Sequence, residues 1–474
     1  MEVLNTNETL TAATGPTTLS TAKRLFNKNY LLLWQGQFIS RLGSQVYSVV
    51  IGFWLQQTTQ SGSIVGAFFM MVGLPIVFFG IFGGALADRI SRKKIIVGAD
   101  IINGLLFVTL GVVMYFNQHQ TDVLIAGVFV AGVLVSSVGA FFGPAISASV
   151  PDLVPPQKIQ AANSMGQFSI RISAFFGQGA GIPLLHLLGL PILVLVNGIT
   201  YLVSAFSESF ITIPQKKREK VTGFSETLAS FKKDLAEGLR YIGKNKGLKR
   251  LLTISVFLNF FTMPIIVLLV FFVKEYLKAP DVWYGYLLTF YGIGALTGYI
   301  SAGILRFTGS ARTGILILFM ILEPAGYILL TYTMHSLFLA AILFFVGGIF
   351  NGFIMVNIMT ILQLTTPSEI RGRVFGALTT LSGSITPLGM GLGGVLYDLS
   401  GKNIALIYRS SGAIMIAIVL LGVMSKELRK FIAFDKVEDI GFTYKIRTIK
   451  QEEIKKDQKQ IYLEYQLQKP RSEL

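Results

Sequence analysis

Of 474 residues, 52% are hydrophobic and only 14% charged, where a soluble domain carries about one quarter. That balance excludes an ordinary soluble enzyme, and the absence of Cys excludes disulfides, thiolate metal sites and Cys nucleophiles. A net charge of +16 would suggest nucleic acid in a soluble chain, but here the segments between hydrophobic runs hold it.

Residues 1–29 are polar and lack the apolar core of a cleaved signal, so the first run is expected to serve as its own insertion signal. Twelve runs follow, at 30–55, 63–87, 95–116, 122–147, 158–187, 190–212, 251–273, 283–305, 314–332, 337–362, 373–397 and 404–424. Each is long enough to cross a hydrocarbon core that takes about 20 apolar residues. They are too long and too unalternating for barrel strands, so they are predicted to be helices. All but six of the 41 Lys and Arg fall at the termini, in the gaps after runs 2, 4, 6, 8 and 10, or, for Lys158 and Arg373, at the first residue of the run that follows such a gap. Positive charge flanking membrane spans stays cytoplasmic. The alternation therefore predicts both termini in the cytoplasm of a multi-pass cell-membrane protein, with anionic lipids as neighbours of the basic loops.

Residues 213–250 divide the chain into bundles 30–212 and 251–424. Phe231, Leu235, Leu239 and Ile242 repeat at helical spacing there among Lys and Arg, which predicts an amphipathic linker helix on the inner leaflet. A faint repeat, Pro156 to Ala161 against Pro367 to Gly372, precedes the glycine-rich fifth and eleventh runs. Duplicated six-helix halves are a transporter architecture, with the substrate site between them. The tail, 425–474, mixes Lys/Arg with acids and reads as a soluble or partly disordered segment.

After the second run stands Gly84-Ala85-Leu86-Ala87-Asp88-Arg89-Ile90-Ser91-Arg92-Lys93-Lys94. Taken alone this is a positive-inside loop with a helix-capping Asp. It resembles the Gly-x-Leu-Ala-Asp-Arg-x-Gly-Arg-Lys signature of the major facilitator superfamily, with Ser91 where that family usually has Gly. Phe141 to Ser164 and Thr366 to Gly376 resemble its macrolide-efflux and enterobactin-export branch. The resemblance implies an all-α membrane protein of twelve transmembrane helices in two pseudo-symmetric halves, working by alternating access. It also implies efflux driven by a proton gradient or another coupling ion, and a cytoplasmic gating latch carried by Gly84, Asp88, Arg89, Arg92 and Lys93. The Gly-rich second, fifth, eighth and eleventh helices would line the interface between halves. The buried Arg common in the family's fourth helix is absent here.

A charge at the centre of a span costs about 2.5–3.5 kcal/mol, so each one asks for a reason. Arg409 lies near the outer end of its helix and can snorkel. Glu208 is expected to pair with the basic linker, and Asp100 to join the charges of the signature loop or serve as a proton carrier. Gln37, Arg41 and Gln45 form a polar stripe on the first helix; Gln167, Arg171 and Gln178 form one on the fifth. Arg41 and Arg171 are candidates for substrate contact, or else for a buried network within the first half. Asn259, Asn351 and Asn357 are weaker cavity candidates, since Asn in membrane helices often bonds to a neighbour. Glu323, directly before Pro324, is a second proton-coupling candidate or a neutral structural carboxyl. The interiors of helices 1, 2, 4, 5, 7, 8, 10 and 11 hold no Asp or Glu. The expected small-molecule substrate is therefore neutral or anionic, amphipathic and antibiotic-like, with a siderophore or native metabolite as the alternative. A non-transporting receptor or scaffold is the alternative of another class. No hydrolase, zinc-protease or phosphate-loop motif occurs, so the chain is not expected to be an enzyme, to take a cofactor or metal, or to bind nucleic acid.

Overall fold

The computed structural model describes residues 25–214, 224–305, 307–333 and 336–433. Among these it is almost entirely helical and contains no strand. Six helices make the first half: α1 (Lys28–Thr59), α2 (Gly62–Arg89), α3 (Arg92–Phe116), α4 (Thr121–Leu153), α5 (Ile159–Leu188) and α6 (Leu190–Ser209). After the linker helix α7 (Phe224–Lys244), α8 (Lys246–Val267) opens the second half. It is extended past Leu268 by α9 (Leu269–Phe271) and a π turn (Phe272–Tyr276). Then come α10 (Val282–Ile304), α11 (Gly309–Leu330), α12 (Leu337–Thr365), α13 (Ser368–Leu399), α14 (Ile404–Val423) and a short α15 (Lys426–Ala433).

Nine of the described helices are long and apolar enough to cross a membrane. α1, α5 and α13 are 32, 30 and 32 residues long but more polar. They pack between other helices, α1 on α5 and α6 and α13 on α2 and α8, where lipid does not have to accept their polar side chains.

The packing repeats between halves. α3 lies on α6, α2 on α4 and α1 on α5; correspondingly α11 lies on α14, α10 on α12 and α8 on α13. The halves meet along two seams, α2 with α13 and α5 with α10. At the end holding the charge-poor turns, one buried apolar cluster runs through both halves, joining Phe53, Phe68 and Ile182 to Phe271, Leu287 and Tyr408. At the basic end the core divides. One cluster around Tyr30, Ile96, Ala145 and Ile211 belongs to the first half. Another around Leu251, Leu316, Ile361 and Val374 belongs to the second.

Two stretches differ from their expected form. The linker helix ends at Lys244, because Asn245 caps the next helix by accepting from the Leu248 amide (3.0 Å), so 246–250 open α8. α7 does not simply lie along a leaflet: Ile242 is buried in the core of the second half, and Gly238 sits against the Arg373 carbonyl of α13. Arg373 also pairs with Asp234 (3.0 Å) and Glu237 (2.8 Å). The tail begins with α15, whose Leu428, Phe431 and Ile432 are buried against the second half; the rest of the tail, expected to be soluble or partly disordered, lies outside the described residues.

Candidate functional site

The closed end is held by polar contacts between halves. Asp398, in the last turn of α13, accepts from the amides of Gly62 (2.9 Å) and Ser63 (2.8 Å) and from the Ser61 hydroxyl (2.7 Å), at the start of α2. An acid at a helix C-terminus is disfavoured by that helix's own dipole, whereas the free amides at the start of α2 suit it. Asp398 is thus better placed against the opposite half than in solvent. Burial pushes its carboxyl up, but the hydrogen bonds from Ser63, Ser61 and Gly62 outweigh this and hold it below the ordinary value. Nearby, Glu275 accepts from Gln56 of α1 (3.4 Å) and from the Tyr397 hydroxyl. Asp281 pairs with Lys274 and lies 3.3 Å from His186 of the first half.

Below this latch the α2–α13 seam depends on small residues. A Cβ on Gly66 would stand 2.6 Å from the Met390 carbonyl, and one on Gly73 2.5 Å from Pro387. Side chains there would push the helices apart. Toward the basic end the contact fades: a Cβ on Gly383 would reach Val77 only at 3.9 Å, and one on Gly80 would meet nothing within 4 Å. The α5–α10 seam opens in the same direction. Gly285 touches the Gln178 carbonyl, whereas Gly166 and Gly303, nearer the basic end, face open space.

Arg171 is exposed on α5, and its guanidinium lies 5.3 Å from the centre of the Tyr299 ring on α10, across the second seam. Gln167, one turn away, is also exposed. On the other side Asn259 of α8 is exposed and accepts from Thr386 of α13 (3.0 Å). Arg171 and Tyr299 thus bring a positive charge and an aromatic face together across the α5–α10 seam. A separate apolar pocket of about 350 Å³, among Trp54, Met114 and Leu190 at the outer end of the first half, touches none of them.

Residues 19–473 match the transmembrane secretion effector family of major facilitator proteins. The chain belongs to this family. Macrolide efflux protein A of Streptococcus pyogenes is 24% identical over 418 residues, spanning 85% of this transporter and 96% of that protein. A Bacillus subtilis protein provisionally named bacilysin exporter BacE is 30% identical over 376 residues, spanning 77% and 86%. Among solved structures, the nucleoside transporter NupG superposes with a TM-score of 0.63 at 14% identity, covering 83% of this chain and 98% of its own. A bacterial homolog of the human lysosomal transporter Spinster gives 0.59 at 16%, covering 85% and 96%. These two show the major facilitator fold.

Within the transporter, the polar residues expected to line the cavity divide into four groups. Arg171, Gln167 and Asn259 are exposed, and of these Arg171 reaches the other half at Tyr299. Gln37 and Arg41 turn the other way, toward α3 and α6. Gln37 is buried and donates to Glu208 (2.8 Å), and Arg41 lies beside Asp100, Glu208 and Tyr201. Gln45 sits at the α1–α5 crossing beneath Gly177. Asn351 donates to Glu323 (3.0 Å) and Asn357 to the Phe353 carbonyl of its own helix (3.0 Å), so neither amide is directed at a ligand. Glu323 also accepts from Tyr327 (3.2 Å) and is tied into the second half. Arg409 reaches the outer end, donating to Thr331 (2.8 Å) and lying over Tyr332.

The acids Asp100 and Glu208 meet each other rather than the signature loop and the linker. Arg92 of that loop donates instead to Asp152 and to the Ala148 carbonyl of α4 (2.8 Å). Lys93 opens α3 beside it. The signature itself spans the end of α2, a two-residue turn at Ile90 and Ser91, and the first turn of α3. The surroundings of Gly84 and the side chains of Asp88 and Arg89 lie outside what the structure describes. The latch at Asp398 was missed by the sequence reading. Its one signal was the scarcity of acids at the charge-poor end, where Glu275, Asp281 and Asp398 stand close to helix ends.

Proposed function

We propose that this protein is an efflux transporter working by alternating access, and that the conformation described is its inward-open state. Under the charge rule the basic end is cytoplasmic, and twelve helices, the nine apolar ones with α1, α5 and α13, span the membrane. The observation that carries the reading is the division of the core: one apolar cluster closes the outer end across both halves, while two separate clusters leave the inner end apart. A binding surface open to the cytoplasm is the loading state of an exporter.

The substrate enters between α5 and α10 on one side and α8 and α13 on the other. Arg171 with Tyr299 favours a neutral or anionic compound with apolar parts. Relatives named for macrolide efflux and bacilysin export support a small amphipathic cargo, and the second name favours a native metabolite as the alternative. A proton gradient supplies the energy, and in the other state Gly84, Asp88, Arg89, Arg92 and Lys93 latch the inner end. Everted vesicles holding the protein test this: anionic and neutral candidates should accumulate when a proton gradient is imposed, and more weakly without it. Accumulation of cationic compounds alone, or of none, would refute the reading.

A further inference from the structure

The buried acids of the first half form a constellation that the export reading leaves unused. Asp100 of α3 and Glu208 of α6 are both completely buried, and so is Ser204 one turn from Glu208. The two carboxyls approach each other and the Ser204 hydroxyl. Gly36 of α1 closes the site: a Cβ there would lie 2.9 Å from the Ser204 hydroxyl and 3.1 Å from Oε1 of Glu208. Gln37 donates its amide to Oε1 of Glu208 and has its own carbonyl oxygen buried alongside. The charged and titratable groups facing the pair are Arg41 from α1 and Tyr201 from α6, whose hydroxyl bonds to Ser44 (2.8 Å).

Two features mark this cluster as incomplete. Both oxygens of Asp100, Oε2 of Glu208, the Ser204 hydroxyl and Oε1 of Gln37 are buried and make no well-formed hydrogen bond, although Asp100, Glu208 and Ser204 lie close enough to pair with one another once a proton is supplied. Buried polar atoms are almost always paired, so several converging orphans ask for a missing species. The charge is also out of balance. One guanidinium faces two carboxyl groups, so ionisation of both would leave one negative charge over at a fully buried site, and an unpaired buried ion is costly. The unpartnered atoms are hard oxygens, which suit a proton or a small monovalent cation and not a soft metal.

We propose that Asp100 and Glu208, held by Arg41, Ser204 and Gln37, bind one monovalent cation, a proton, as the coupling site of this transporter. Sodium is the other source of the same charge. The proposal rests on the export reading and adds to it where the driving ion binds. It also gives Arg41 a different task from Arg171: Arg41 balances one carboxylate of the site, while Arg171 faces the cargo. The proton gained joins the two carboxyls in a hydrogen bond and leaves the cluster neutral. When it departs, the net charge returns, and the packing of α1 on α3 and α6 changes with it. Glu323 stands apart, since its neutral partners Asn351 and Tyr327 already bond to it.

Infrared difference spectra of the full-length protein in lipid nanodiscs, recorded between high and low pH, test the site. A protonated-carboxyl stretching band should appear and should lose intensity in both Asp100→Asn and Glu208→Gln, while Glu323→Gln removes a different component. A band that responds at constant pH to sodium but not to choline would give the site to sodium. A wild-type protein responding to neither ion, or a band unchanged by both substitutions, overturns the proposal, and the wild-type arm decides it even if a variant does not fold. Transport separates this inference from the export reading. The proton-gradient response should fall about tenfold in Asp100→Asn and Glu208→Gln, within the usual range of coupling between sites. If the wild type moves nothing under any gradient, export fails. If it responds to the gradient and both variants respond equally, only the cation site fails.

Discussion

Replacing Asp398 by Ala removes three hydrogen bonds that cross between halves at the outer end, two from backbone amides and one from Ser61. A hydrogen bond to a charged group contributes about 1.5–3 kcal/mol when buried. Asp398 is only partly buried, and water takes over its amides once the seam opens, so the three together favour the closed outer end by about 2 kcal/mol. That corresponds to roughly a thirtyfold shift toward outward opening in Asp398→Ala. Asp398→Asn keeps one acceptor and loses the charge, so about half the energy and roughly a fivefold shift remain. The chain has no native Cys, so spin labels can be placed without background. Leu187→Cys on α5 and Leu399→Cys on α13 lie exposed at the outer ends of opposite halves. Their distance distribution should gain a longer component in Asp398→Ala and a smaller one in Asp398→Asn. Distributions unchanged in both variants would refute the latch.

The sign of the pH response follows from the same contacts. Asp398 lies just past the predicted span, and its carboxyl is held below the ordinary value while latched. Its contribution is therefore full above the ordinary carboxylate range and is lost only as pH falls through the depressed latched value. Between pH 7 and 5 this group should leave the outer distance unchanged, with opening only below about pH 4. A transition near neutral pH would have to come from another group.

Further outcomes follow from the seams and the second half. Gly66→Ala overpacks the closed seam against Met390 and should cost about 1–3 kcal/mol, lengthening the same label distance; Gly80→Ala has space in this state and should leave the distance as in wild type. Glu323→Ala leaves the Asn351 amide and the Tyr327 hydroxyl without an acceptor, at about 1–3 kcal/mol each, and should lower the melting temperature, whereas Glu323→Gln should lower it less. Arg171→Ala and Tyr299→Ala each remove a contact of about 0.5–2 kcal/mol. Arg171→Ala should weaken inhibition of transport by anionic compounds more than by neutral ones; an equal loss for both would count against the assigned cavity wall.

The fold was legible because it is carried by one-dimensional quantities. Hydrophobic length and the placement of Lys and Arg give spans and sides with no knowledge of contacts. Side-chain direction was less legible. Arg41 and Arg171 sit on similar polar stripes, and periodicity alone gave both the same candidate role. α1 is in contact on several sides, with α5, α6 and also α9, so its stripe can turn inward to the bundle or toward the cavity. Gly36 settles this by letting Ser204 and Glu208 approach on the α6 side. Glu208 was read against the basic linker because Lys216 and Lys217 are near in sequence, whereas its partners Asp100 and Gln37 lie on other helices. A contact such as that of Asp398 with residues 61–63 joins opposite ends of the chain, and no local pattern announces it.

The two seams together locate the pivot of the proposed motion. Along α2 contact with α13 is tight at Gly66 and Gly73, slack at Val77 and absent at Gly80, a change completed within two helical turns, about 10 Å. Along α10 it is tight at Gly285 and opens past Gly292, whose Cβ would stand 3.6 Å from the Gln178 side chain. Both seams therefore part at similar depth, near Pro387 on one side and Gln178 on the other. A rigid rotation about that level would close the Gly80 side and open the Gly66 side without changing the packing inside either half. It would have to break the Asp398 contacts, which lie far from the pivot and so separate most. This is why a single partly buried carboxylate at the rim has leverage over the state of the whole transporter, while Asp100 and Glu208 lie buried inside one half, away from both seams.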